Sequence, residues 1–135
     1  MRAVLDSNVL FRTLISHGSV VTLVFNPKLE LFAPERLKEE FARNREDILS
    51  KTRLSESEFE ELAALLFSQI AFIPLGAYRQ FIPKAKSLLG SHQKDEDFVA
   101  LCLLKGCKIW TYESLLFERE VGISTKQLAK ALDAE

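Results

Sequence analysis

The feature that most constrains the fold is the alternation of short strand-forming runs with segments of helical periodicity. The runs lie at residues 3–5, 29–33, 71–75, 108–111 and 121–123, and apolar residues recur every three or four positions between most of them. The first run is apolar on both faces, which is typical of a central parallel strand covered by helices. Strands that alternate with helices predict an α/β fold, a three-layer α/β/α sandwich with a central parallel sheet of four or five strands.

Local signals place several boundaries within this pattern. Ser55 followed three residues later by Glu58 predicts a capping box at the start of a helix. Pro34 is expected near the first position of the helix after the second strand, and Pro74 at a strand end or edge, because proline cannot donate to a ladder. The almost wholly apolar segment 98–104 predicts a helix in the core. With 135 residues, the chain is expected to form one domain, residues 1–135.

Charge and cysteine content exclude several classes of protein. A formal net charge of -1 gives no overall sign of a dedicated nucleic-acid binder, although cations bound to clustered carboxylates would leave basic side chains free to attract an anion. Cys102 and Cys107 are poorly spaced for a zinc site and are expected to be free thiols in a reducing compartment. No apolar run approaches the roughly 18 residues of a membrane span. We therefore expect a cytoplasmic protein without a membrane partner.

Acidic residues are expected to meet at one edge of the sheet. Asp6 follows the first strand and Glu113 the fourth, and ligands of open parallel sheets bind beyond the carboxyl ends of the strands. The helices that carry Glu39, Glu40 and Asp95 begin at the same edge, so their first-turn acids can reach the same point. Crowded oxygen donors suit Mg²⁺ or Mn²⁺, and a pair of such ions supports cleavage of phosphodiesters.

These segments resemble the PIN domain family, and in particular the toxin ribonucleases of VapBC-type toxin–antitoxin pairs. The resemblance covers essentially the whole chain. It rests on LDSNVL at residues 5–10, LKEEF at 37–41, Asp95 five positions before Ala100, and IWTYE at 109–113. It is the order and separation of these segments, more than any one of them, that is typical of the family.

The resemblance implies a metal-dependent endoribonuclease that binds one or two Mg²⁺ or Mn²⁺ ions. It implies four acids that are both metal ligands and catalytic residues: Asp6, Glu40, Asp95 and Glu113. Ser7, Asn8 and Thr111 would support these ligands without binding the metal. The family usually has Glu followed by an apolar residue at the second acid, which favours the glutamate before Phe41, and Glu39 is the alternative.

Partners follow from the same resemblance. The substrate would be RNA, and the basic residues Arg36, Lys38 and Arg43 are candidates for holding its phosphates. The likeness to toxins also implies a small antitoxin protein and a homodimer.

The chain departs from the family pattern at two positions, which leaves an alternative open. Glu113 stands where the family usually has Asp, and His92 stands where many relatives carry another acid. Both changes favour a catalytically degenerate PIN-fold module that binds RNA or a protein without cutting.

The individual acids also have explanations without metal chemistry. Asp6 and Asn8 could cap the following helix, Glu39 or Glu40 could be solvated surface, and Asp95 could stabilise a helix dipole. A phosphotransfer enzyme with Asp6 as its nucleophile is a third interpretation, but no second Asp follows two positions on.

Overall fold

The computed structural model describes residues 1–135 and contains one five-stranded sheet. All its strand pairs are parallel, and the strand order is β3-β2-β1-β4-β5. The strands are β1 (Arg2–Leu5), β2 (Glu30–Pro34), β3 (Ile70–Ile73), β4 (Lys108–Trp110) and β5 (Gly122–Ile123). The predicted α/β fold with a central parallel sheet is therefore confirmed.

Helices connect every pair of consecutive strands and also close the chain. They are α1 (Ser7–Ser16), α2 (Ser19–Val24), α3 (Arg36–Lys51), α4 (Glu56–Ser68), α5 (Leu75–Tyr78), α6 (Ile82–Leu89), α7 (Glu96–Lys105), α8 (Ser114–Glu118) and α9 (Thr125–Ala134). The predicted capping box of α4 is confirmed: the Glu58 N–H donates to Ser55 Oγ at 3.1 Å, and the Ser55 N–H donates to Glu58 Oε1 at 2.9 Å. No helix combines the length and the apolar character that crossing a bilayer requires.

The strand order reverses between β1 and β4. From β1 the chain moves outward to β2 and β3, and it then returns to place β4 and β5 on the other side of β1. Crossovers between parallel strands are right-handed, so this reversal puts α1 and α3 on one face of the sheet and α7 on the other. The carboxyl ends of β1 and β4 therefore flank the crevice in which open α/β sheets bind ligands.

A single cluster of 30 buried hydrophobic residues forms the core. The helix α7, which packs on β1, β2 and β4, buries its residues 98–102 completely or nearly so. Trp110 of β4 is also fully buried, and its Nε1–H donates to Thr125 Oγ1 at 2.9 Å. The prediction that segment 98–104 is a core helix is thus correct. The strands that flank the crevice are packed against this buried helix.

Pro34 ends a strand instead of beginning a helix. It pairs with Ile73 of β3 as the last residue of β2, whereas the sequence predicts it near the first helical position. Proline is tolerated there because a strand end does not require its missing N–H. Glu35 is the N-cap residue, and α3 begins at Arg36. This start places Glu39 and Glu40 in the first two turns of the helix.

Candidate functional site

Asp6 lies directly beyond β1, at the reversal of strand order. Its backbone N–H donates to the Trp110 carbonyl at 3.0 Å, which extends the pairing of β1 with β4 by one residue. The side chain is only 2% exposed. Asp6 occupies the N-cap position of α1, yet its carboxylate makes no capping hydrogen bond. Capping therefore does not account for this buried acid.

Thr111 orients the carboxylate of Asp6. The fully buried Thr111 hydroxyl donates to Asp6 Oδ2 at 2.6 Å and accepts the backbone N–H of Glu113 at 2.9 Å. An ionised carboxylate can only accept hydrogen bonds, so the hydroxyl proton points to Asp6. Ser7 Oγ is 3.5 Å from Asp6 Oδ1, which leaves at most a weak hydrogen bond.

The acids influence one another electrostatically. The pKa of Asp6 is raised to about 6. Burial is the largest cause, the hydrogen bond from Thr111 opposes it, and the negative charges of Asp95 and Glu113 add to the rise. The pKa of Asp95 is raised as well, mainly by burial and then by Glu113 and Glu40, against the opposing effect of two nearby cations. Asp95 thus lies close enough to interact with each of the other three predicted acids.

Three of the four acids line one cavity between α1 and α3. The cavity has a volume of about 580 Å³ and is lined by Asp6, Glu40 and Asp95, but not by Glu113. Glu39 is exposed and does not line it. Of the two glutamates that the sequence offers for the second acid, Glu40 is the one that the fold turns toward the cavity.

Glu113 lies at the edge of the site and contacts Asn8. The Asn8 Nδ2–H donates to Glu113 Oε1 at 2.9 Å. Glu113 still raises the pKa of both Asp6 and Asp95, so its charge acts on the site although its side chain is held outside the cavity. Asn8 thereby fixes the position of the fourth acid.

The donors fit a hard divalent cation in their chemistry, but they do not form a closed cage. Asp6, Glu40 and Asp95 present carboxylate oxygens, the donors that Mg²⁺ and Mn²⁺ prefer. However, no three His, Cys, Asp or Glu side chains come close enough together to hold an ion. Mg²⁺ is usually bound through one or two carboxylates with water at its other positions. This open mode fits the cavity, whereas a preformed cluster of four acids is not present.

A chain of contacts that is not expected from the sequence positions Glu40. The buried Tyr78 hydroxyl donates to Asp97 Oδ2 at 2.6 Å, and Arg36 Nη1 donates to Asp97 Oδ1 at 3.2 Å. Arg36 Nε in turn lies 3.4 Å from Glu40 Oε1. Burial and the contact with Asp97 raise the pKa of Tyr78, which keeps this hydroxyl a donor. The spacing of Arg36 and Glu40, four residues apart on a helix, is the part of this chain that the sequence does signal.

The predicted RNA-binding residues divide between two surfaces. Arg36 and Arg43 line the cavity together with Arg12, Lys51 and Lys94. Lys38 does not, because its Nζ lies over the ring of Phe72, 4.5 Å from the centroid. His92 is exposed and is also absent from the lining.

The family model described as PIN domain matches residues 4–133, nearly the whole chain. No curated protein matches the chain.

Proposed function

The chain belongs to the PIN domain family, whose members are generally nucleases, and we propose that it is a metal-dependent endoribonuclease. The observation that carries this proposal is the buried Asp6, which faces the same cavity as Glu40 and Asp95. Taking a carboxylate out of water is unfavourable, and a strongly raised pKa in a cleft is typical of functional sites. The carboxylates of the cavity suit a divalent cation, and its basic wall suits the phosphates of a phosphodiester substrate.

The protein's own side chains would bind and orient the reacting groups. Bound Mg²⁺ or Mn²⁺ would supply Lewis-acid chemistry and a water of lowered pKa. Asp6, Glu40 and Asp95 would provide the oxygen ligands, and Thr111 fixes the orientation of the Asp6 carboxylate. Arg36 holds Glu40 at the cavity wall and reduces the repulsion among the carboxylates.

Cleavage of single-stranded RNA tests this proposal. Wild type and Asp6→Asn would be incubated with a labelled RNA and Mg²⁺ or Mn²⁺, with a chelator as the control. We expect internal cleavage by the wild type only when the metal is present, and little or none by the variant. If Asp6→Asn is folded and cuts as fast as the wild type, the site is wrongly assigned.

A second candidate is a PIN-fold module that binds RNA without cutting it. Two observations favour it: no three acids converge on one point, and Glu113 is engaged by Asn8. This candidate predicts that the wild type retains RNA in the same assay but leaves it intact with either metal. Intact RNA that is bound by the protein would therefore replace the nuclease proposal with this one.

Within the family, we propose the toxin half of a toxin–antitoxin pair, acting as a homodimer with a small antitoxin partner. The support is the resemblance of segments 5–10, 37–41 and 109–113 to such toxins. Light scattering of the purified protein tests the dimer, which should have twice the 15.3 kDa of one chain. Co-expression with the product of a neighbouring gene tests the antitoxin, which should co-purify and suppress cleavage.

A further inference from the structure

We propose that the α1–α3 groove binds one RNA strand lengthwise, leading it away from the acids. The α1–α3 groove is the depression between these two helices that begins at Asp6 and Asp95 and ends at Lys51 and Arg53. This inference rests on the proposed function, since it names the path of the substrate. It goes further because most of the groove lies outside the acidic site.

Two adjoining hollows make up the groove. The cavity of about 580 Å³ that contains the acids shares Ile15, Ser16 and Lys51 with a second hollow of about 420 Å³. The second hollow continues to His17 and Arg53, beyond the last turns of α1 and α3. The groove is therefore continuous from the acids to the far ends of both helices.

The groove follows one whole face of α3. The lining residues of this helix recur three or four positions apart along its length, and they are Arg36, Glu40, Arg43, Asn44, Asp47, Ile48 and Lys51. From Glu40 to Lys51 the helical rise gives a length of about 16 Å. At about 3.4 Å per nucleotide of a stacked strand, this length corresponds to about four or five nucleotides.

Several cations of the groove have no carboxylate partner. Arg12, Arg43, Arg53 and Lys94 take part in none of the ion pairs, and only Lys51 of the distal part is paired, with an exposed aspartate at 3.0 Å. A cation without an internal partner can bind a phosphate without first breaking an ion pair. Phosphate contacts of this kind supply most of the affinity in binding that is independent of sequence.

An aromatic side chain stands at the acidic end. The guanidinium carbon of Arg12 lies 4.6 Å from the centroid of the Tyr112 ring, and both residues line the cavity. Single-stranded bases stack on aromatic rings and on guanidinium planes. Helices in contact generally lie about 8–10 Å apart, so a groove between two of them is narrow for a duplex. These features favour a single strand.

Binding measured without metal tests the groove separately from cleavage. Fluorescence anisotropy would follow a labelled single-stranded RNA of 12 nucleotides in EDTA. The test variant is Arg43→Gln/Arg53→Gln, and the matched control is Lys86→Gln/Lys130→Gln, which removes the same charge from exposed residues outside both hollows. All four side chains are exposed and form no ion pair. Both variants are therefore expected to fold, and circular dichroism would check this.

We expect the test variant to bind more weakly than the control. Two lost phosphate contacts should reduce the slope of log K against log salt by about 1.4. If the test variant and the control bind alike at 1 M salt, this change in slope makes binding by the test variant about 25-fold weaker at 0.1 M salt. Affinity should rise with RNA length up to about five nucleotides. Equal binding by the two variants, equal binding of a duplex, or displacement of RNA by an equal concentration of polyglutamate would each overturn the proposal.

The outcomes for the groove and for the nuclease are distinguishable. Wild type that cleaves RNA while both double variants bind alike refutes the groove and leaves the nuclease standing. Wild type that binds RNA through Arg43 and Arg53 but never cleaves it supports the groove and refutes the nuclease.

Discussion

The two faces of α3 both contain arginine, but the arginine toward α4 is ion-paired and the arginine in the middle of the groove face is not. On the face toward α4, Phe41 stacks on Phe59 with centroids 6.1 Å apart, and Arg45 pairs with Glu46, Glu56 and Glu60. On the groove face, two residues before Arg45, the exposed Arg43 has no ion pair.

This difference separates charges that stabilise the fold from charges that are available to a ligand. The α4 face neutralises its cation and buries aromatic rings. The groove face of α3 leaves Arg43 without an ion pair, and across the groove lies the buried acid Asp6, whose ionisation is disfavoured by its surroundings. We therefore expect changes on the α4 face to alter stability, and changes on the groove face to alter binding and cleavage.

The largest expected effect distinguishes two adjacent glutamates of α3. Glu40→Gln removes an acid from the cavity, whereas Glu39→Gln removes one from the exposed surface. We expect Glu40→Gln to slow RNA cleavage by about 10²–10⁴-fold, the usual range for a lost catalytic group, and Glu39→Gln to have little effect. Initial rates at saturating Mn²⁺ measure this. Similar cleavage rates for the two variants would contradict the assignment of Glu40, and not Glu39, to the site of cleavage.

The next effect concerns the face toward α4. Phe41→Ala would remove a ring that contacts both Phe59 and Phe67. We expect the free energy of unfolding to fall by about 3 kcal/mol, the lower end of the range for Phe→Ala, because Phe41 is only partly buried. Urea denaturation measures the change. A variant as stable as the wild type would show that this contact does not hold α3 in place.

Asp6→Asn should stabilise the protein at neutral pH. The pKa of Asp6 is about 6 in the folded state against 3.8 for the ordinary group, so folding disfavours its ionised form. The penalty is present above pH 6 and disappears as the pH falls below 4. Since one pKa unit is about 1.4 kcal/mol, and the variant weakens the hydrogen bond to Thr111, we expect a gain of about 2 kcal/mol.

Urea denaturation of wild type and Asp6→Asn at pH 7.5 and pH 4 measures this difference. The gain should be seen at the higher pH and be close to zero at the lower one. A variant that is less stable than the wild type at pH 7.5 would contradict the view that the ionised, buried Asp6 lowers the free energy of unfolding.

The smallest effect compares two arginines of the same helix. Arg45→Gln breaks ion pairs with three glutamates and a cation–π contact with Phe59 at 5.7 Å. We expect a loss of about 1 kcal/mol in the free energy of unfolding. Arg43→Gln should change it by less than about 0.5 kcal/mol. Thermal denaturation in low salt separates these expectations, and equal losses would mean that the two faces do not differ.

The strand that precedes Asp6 and the core helix α7 could be predicted because their signals are local. Residues 3–5 are apolar on both faces, and segment 98–104 is apolar all round, as buried elements are. Local signals also place Asp6 and Thr111 each at a strand end, and the structure, in which these two strands are neighbours, joins them by a hydrogen bond.

Other parts of the site depend on contacts between distant segments. Pro34 was misplaced because its pairing with Ile73 of β3 involves a residue 39 positions away. Asp97 was missed because its role comes from Tyr78 and Arg36, which belong to other helices. Whether Glu113 enters the cavity depended on Asn8 in α1. A sequence pattern contains the residue types of such contacts but not their distances.

Titration of Mn²⁺ into the protein tests the central claim most directly. Calorimetry at pH 7.5, where Asp6 is ionised, would compare the wild type with Asp6→Asn, and Glu39→Gln would be the control. We predict binding at millimolar Mn²⁺ or below for the wild type and for Glu39→Gln, and binding weakened by at least about tenfold for Asp6→Asn. No binding by the wild type, or equal binding by Asp6→Asn, would contradict the assignment of Asp6, Glu40 and Asp95 as a cation site.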